Sequence, residues 1–111
     1  MFKWVEGRQN SGYFKMLLFR SKMLKMDMYL LKFQEGVEVP WHKDPAKTGR
    51  HFRFNLYLTR PGGGELLIEK NKNAIFSNRL CHLFRADDIQ HAMTKVEGGT
   101  LYLLSIGKVL R

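Results

Sequence analysis

The stretch Pro40-Trp41-His42-Lys43-Asp44-Pro45 places an imidazole and a carboxylate two residues apart. On an extended backbone, side chains two apart leave from the same face. One further imidazole would complete a face of two histidines and one carboxylate on a metal. That donor set leaves the opposite face open and suits non-haem Fe(II) chemistry with O2.

Four histidines are present: His42, His51, His82 and His91. His51 follows Arg50 and is read as sharing a face with the apolar set of its strand. His82 lies inside the apolar run Leu80 to Phe84. Both are read as packed or surface residues. His91 follows a polar loop and opens a strand, which makes it the candidate third ligand. A His-x-Asp pair with a later histidine is by itself a loose signal.

These residues need a frame. The 111 residues allow one domain, 1–111, with a single core. Residues 1–12, with Gly7, Asn10, Ser11 and Gly12, read as an irregular arm anchored by Trp4. Tyr13 to Phe19 and Lys25 to Phe33 favour strands, with a helix through 14–33 as the competing assignment because Met, Leu and Lys are good helix formers. Val37-Glu38-Val39 alternates and leads into His42, and residues 43–50 form a polar loop. His51 to Thr59 is the clearest strand, with Arg53, Asn55 and Tyr57 on one face and Phe52, Phe54, Leu56 and Leu58 on the other. Pro61-Gly62-Gly63-Gly64 breaks the chain before Glu65 to Glu69, so 51–69 reads as a hairpin. Strands follow at Leu80 to Phe84, Ile89 to Val96 and Thr100 to Leu110. About eight short strands with little or no helix predict an all-β sandwich or barrel.

Net charge is +9. An excess of that size favours an acidic partner, such as nucleic acid or an anionic small molecule, or else a solvated basic surface. Basic residues concentrate in 3–25, 43–53 and 70–79. Trp4, Tyr13 and Trp41 could stack on bases, with core packing as the alternative. The single cysteine, Cys81, forms no intramolecular disulfide and reads as a small buried hydrophobe. Neither a signal peptide nor a membrane-length apolar run is seen, so a cytoplasmic location without membrane contact is expected. The oligomeric state is not legible.

Several ordered segments carry a resemblance: Trp4 with Gly7-Arg8-Gln9 and Ser11-Gly12-Tyr13, then Asp27 to Leu31, Val39 to Pro45, His51 to Leu56, Gly63-Gly64-Glu65, and Leu83 through His91 to Gly107. With them the chain resembles the Fe(II)/2-oxoglutarate-dependent dioxygenases, above all the small prokaryotic and phage members with a minimal jelly-roll core. The resemblance implies a double-stranded β-helix (jelly roll, cupin-like), in which the second and seventh core strands are neighbours. It implies His42, Asp44 and His91 as ligands to Fe(II), with 2-oxoglutarate and O2 on the open positions. The implied reaction is hydroxylation or oxidative demethylation of a substrate the sequence does not name, nucleic acid being one candidate.

One position departs from the pattern. Leu101 stands where many members carry an arginine or lysine for the far carboxylate of 2-oxoglutarate. Arg53 is the replacement the sequence offers, since a guanidinium captures carboxylates bidentately. Asn55 shares its face, and Tyr29 and Ser105 could add hydroxyl donors. The alternatives are a surface Arg53 paired with Glu65 or Glu69, and a non-catalytic cupin-like domain that binds metal or nucleic acid.

Overall fold

A computed structural model describes residues 3–6, 13–43, 49–78 and 80–110. Twelve strands and no helix occur among them: β1 (Val5–Glu6), β2 (Phe14–Ser21), β3 (Met26–Phe33), β4 (Val39–His42), β5 (Arg50–Tyr57), β6 (Gly62–Gly63), β7 (Leu66–Ile68), β8 (Phe76–Ser77), β9 (Cys81–Arg85), β10 (His91–Met93), β11 (Val96–Glu97) and β12 (Leu101–Leu110). The larger sheet runs β1-β2-β3-β12-β5-β9-β8, the smaller β4-β10-β7, and β11 pairs with β6. All pairings are antiparallel. The architecture is the expected all-β jelly roll.

Residues 14–33 form strands, not the competing helix. The pairing of β2 to β3 and of β3 to the distant β12 supplies partners that outweigh the helix propensity of Met, Leu and Lys. The turn between β2 and β3 is held by Leu24 N–H donating to Ser21 Oγ at 3.1 Å, and Lys25 adopts φ 53°.

β12 shows the alternation most clearly. Leu101, Leu103, Ser105 and Gly107 are buried, while Tyr102, Leu104, Ile106 and Lys108 are half-buried on the outer face. Phe33, Leu101 and Leu103 of the larger sheet meet Val39 and Met93 of the smaller sheet and Val96, which forms the main core cluster. Phe84, Ala86 and Ile89 form a second cluster, packed by Leu66 and Ile68.

Several sequence expectations need correction. Val5–Glu6, inside the expected irregular arm, is a short strand paired to β2. The expected strand 89–96 is two elements, β10 and β11. The expected hairpin over 51–69 does not form: β5 lies between β12 and β9, whereas β7 pairs with β10 on the other sheet. The glycines serve the crossing between sheets. Gly63 takes φ +66°, and a Cβ there would collide with Lys95 O across the β6–β11 pair. Only a residue without a side chain tolerates both the conformation and the close approach. Cys81 is half-buried on the outer face of β9, not in the core.

Candidate metal and anion site

The inner faces of the two sheets enclose an open cavity of about 600 Å³, and all four histidines line it. His42 and His91 are direct cross-strand partners on β4 and β10. Their rings lie 4.3 Å apart, centroid to centroid, tilted by 57°. His91 is buried, with the Phe84 ring edge-on at 4.7 Å. Each Nδ1 is bonded to the carbonyl two residues back: His42 to Pro40 O at 2.7 Å, His91 to Ile89 O at 2.9 Å. A carbonyl oxygen only accepts, so both bonds require the proton on Nδ1. That tautomer puts the lone pair of each ring on Nε2, the form in which histidine binds metal with its other nitrogen held by an outer partner. The two imidazoles therefore fit the ligand role. Asp44 lies outside the described residues, and among those no group of three or more histidine, cysteine, aspartate or glutamate side chains could hold a metal.

Arg53 also faces inward, from β5. Its Nη1 donates to Ser105 Oγ at 3.0 Å, and its Nη2 lies 3.2 Å from His51 Nε2. Ser105, only 2% exposed, passes the chain on by donating to Asn55 Oδ1 at 2.6 Å. The register explains the set: Tyr29, Ser105, Asn55 and His82 form one cross-strand row, and Asp27, Gly107, Arg53 and Phe84 form the next. The suggested pairing of Arg53 with Glu65 or Glu69 is overturned. Its carboxylate partner is Asp27, with Nη2 to Oδ1 at 3.0 Å. That contact is an ion pair without hydrogen-bond alignment, because Asp27 Oδ1 is buried with no hydrogen-bond partner among the described residues. Tyr29 lines the same cavity, but its hydroxyl accepts from Arg20 Nη2 at 2.6 Å and its ring lies 5.2 Å from the Lys15 ammonium. Leu101 is buried in the main core cluster and is not among the cavity-lining residues.

His51 corrects the sequence reading. It shares the face of Arg53, Asn55 and Tyr57, not that of the apolar residues, because odd positions of β5 face inward. Its backbone N–H donates to Asp87 Oδ1 at 3.0 Å. Asp87 also accepts from Arg85 through both oxygens, at 3.2 and 2.7 Å. These bonds, with that from Arg85 foremost, hold the Asp87 carboxyl below its usual range. His82 lies edge-on to Tyr57 at 5.4 Å with Nδ1 2.7 Å from Ser77 Oγ. Burial, helped by the Arg60 charge, pushes the His82 pKa down. Burial likewise pushes the Tyr57 hydroxyl up, as it donates to Gly64 O at 2.9 Å. Asp27, Lys15, His51 and His82 were not read from sequence as part of a site. The parity of β5 could have placed His51; the others needed the pairing.

Of the suggested base-stacking aromatics, Tyr13 is stacked on Phe33 at 4.8 Å. Trp4 is tilted against Tyr102 at 6.5 Å, and Trp41 is exposed. No helix among the described residues is long and apolar enough to cross a membrane.

No family model and no curated protein matches the sequence. Solved structures do match by shape. A predicted oxalate decarboxylase from Thermotoga maritima superposes with TM-score 0.68 at 14% identity, over 98% of this chain and 92% of that one. A cupin-2 domain protein from Rhodospirillum rubrum gives 0.67 at 12%, over 99% and 71%. The cupin-2 domain of an XRE-family transcriptional regulator from Enterobacter cloacae gives 0.63 at 16%, over 90% and 99%. Identities this low carry the fold alone: the chain has the double-stranded β-helix of the cupin-2 domains.

Proposed function

We propose that the protein is an Fe(II)- and 2-oxoglutarate-dependent oxygenase. One observation carries the reading: His42 and His91 stand opposite each other in register, each with Nδ1 bonded to a backbone carbonyl, on the wall of a cavity that also holds an inward arginine. His42, His91 and, two positions after His42 in the sequence, Asp44 would hold the iron. Bound there, Fe(II) supplies O2 activation, coupled to conversion of the 2-oxo acid to succinate and CO2.

The chain's own residues do the rest. Pro40 O and Ile89 O fix the tautomer and orientation of the two imidazoles. Phe84 packs against His91 and keeps water from that side. Arg53, oriented by Ser105 and in line with Asn55, receives the far carboxylate of the cosubstrate in place of the residue absent at Leu101. Tyr29 borders that end, where its hydroxyl is oriented by Arg20. The net charge of +9 supports an acidic substrate, nucleic acid among the candidates.

Succinate release in the presence of Fe(II), 2-oxoglutarate and O2 tests the reading. Wild type should form succinate and His42→Ala should not. Absent succinate from a wild type that binds Fe(II) would sink the oxygenase. It would favour a non-catalytic cupin-like domain that binds metal or nucleic acid. The engagement of Arg53 with Asp27, His51 and Ser105 supports this second reading, because a guanidinium already held by protein partners is a weaker cosubstrate anchor.

A further inference from the structure

Asp27, Gly107 and Arg53 occupy one cross-strand row on β3, β12 and β5. The middle position is a glycine, and the guanidinium lies across the space its side chain would fill. A Cβ at Gly107 would collide with Arg53 Nη2, would sit 2.6 Å from Cζ, and would sit 2.8 Å from Asp27 Oδ1. The two charged groups thus meet over a gap left open in the sheet. The arginine side chain is 14% exposed and the aspartate 27%.

The bonds at this point are unequal. Ser105 and His51 hold Arg53 by hydrogen bonds at 3.0 and 3.2 Å. Asp27 holds it by charge at 3.0 Å, with Oδ1 buried and lacking an aligned donor. A ligand carboxylate able to accept two aligned N–H bonds competes well against such a partner. Asp27 stays in place, however, and its charge is felt by whatever binds. Among the described cavity-lining residues the fixed charges are Lys15, Arg53 and Asp27. With neutral histidines they sum to one positive charge.

We propose that Asp27 is the specificity determinant of this anion subsite: it restricts Arg53 to a singly charged carboxylate and disfavours dianions such as phosphate. The proposal rests on Arg53 being the anion anchor. Coulomb energy is linear in ligand charge, so repulsion from Asp27 is twice as large for a dianion as for a monoanion at the same place. Removing that charge must therefore change selectivity, and not affinity alone.

The test is a chemical-shift titration of the full chain without added metal, at pH 8, with propionate and with inorganic phosphate. Wild type should bind propionate more tightly than phosphate. In Asp27→Asn, which preserves the shape of the side chain, phosphate affinity should rise roughly tenfold and propionate affinity about threefold. Gly107→Ala, which leaves both charges in the chain, should weaken propionate binding by displacing the guanidinium. Arg53→Ala separates the failures. If it abolishes binding while Asp27→Asn leaves the ratio of the two affinities unchanged or weakens both anions together, Asp27 serves only to hold Arg53 and the proposal falls. If Arg53→Ala changes neither affinity, the anchor reading fails and takes the proposal with it.

Discussion

Ser105 shows how little of the site a single residue type reveals. Its hydroxyl is buried, accepts from Arg53 and donates to Asn55. Ser105→Ala would leave the Asn55 oxygen and one Arg53 nitrogen short of a partner. Unsatisfied buried polar groups cost about 1–3 kcal/mol, so the unfolding free energy should fall by that much and the denaturation midpoint with it. An unchanged midpoint would mean that water replaces the hydroxyl. His82 makes a second expectation at this scale. Its folded pKa lies below the unfolded one, because burial disfavours the cation. As pH falls through the unfolded value, about 6.5, the unfolded chain gains the proton first and stability drops. His82→Gln should flatten that loss, read as the difference in unfolding free energy between pH 7.5 and 5.5. Equal pH slopes in the two proteins would contradict the assigned environment.

The legibility of the site changed from residue to residue for physical reasons. His42 announced itself because its neighbour two positions on is a carboxylate. His91 stood out only through its position after a polar loop, and register with His42 turned that into a facing pair. Arg53, Asn55 and Tyr57 were legible as a polar face. What the sequence hid was the direction of that face: β5 turns its polar side inward to the cavity and its apolar side outward. An inward polar face lines the cavity and reverses the usual pattern of an antiparallel strand. Asp27 was hidden more deeply, because its meeting with Arg53 needs two strand pairings through β12.

At the scale of elements, most strands were legible and their partners were not. Alternation and punctuation locate β2, β3, β5, β9 and β12 to within a few residues. The glycine-rich break after β5 invites a hairpin, since that is the commonest use of such a break. Here it moves the chain to the opposite sheet, which local sequence does not encode. Gly63→Ala is the sharpest test of this crossing. A positive φ costs a non-glycine residue about 1–3 kcal/mol. The clash with Lys95 O adds to that. The β6–β11 pair should open, and the melting temperature should fall by roughly 4 °C for each kcal/mol in a domain of this size. Gly36, with positive φ but nothing within 4 Å of its Cβ position, is the control for strain without collision. If alanine at both positions has the same effect, the close approach at Gly63 contributes nothing.

For the whole molecule, the decisive feature is that the two faces of the larger sheet do different work. The inner face holds the core at one end, where Phe33, Leu101 and Leu103 meet Val39 and Met93, and the cavity beside it. The outer face carries Met28, Leu30, Phe54, Leu104 and Ile106, all half-buried and none in a core cluster. Stability should follow that division and not hydrophobicity alone. Leu103 and Leu104 are adjacent, chemically identical and paired to the same two strands, so they isolate the face. Leu103→Ala removes packed methyls from a site 4% exposed. A loss of about 2–5 kcal/mol is expected there. Leu104→Ala removes atoms that already touch water, so its loss should be about 1 kcal/mol or less. Urea titration of both variants decides the matter. Comparable losses would mean that the outer face is packed in solution and that the core of this fold is divided otherwise than its two inner clusters indicate.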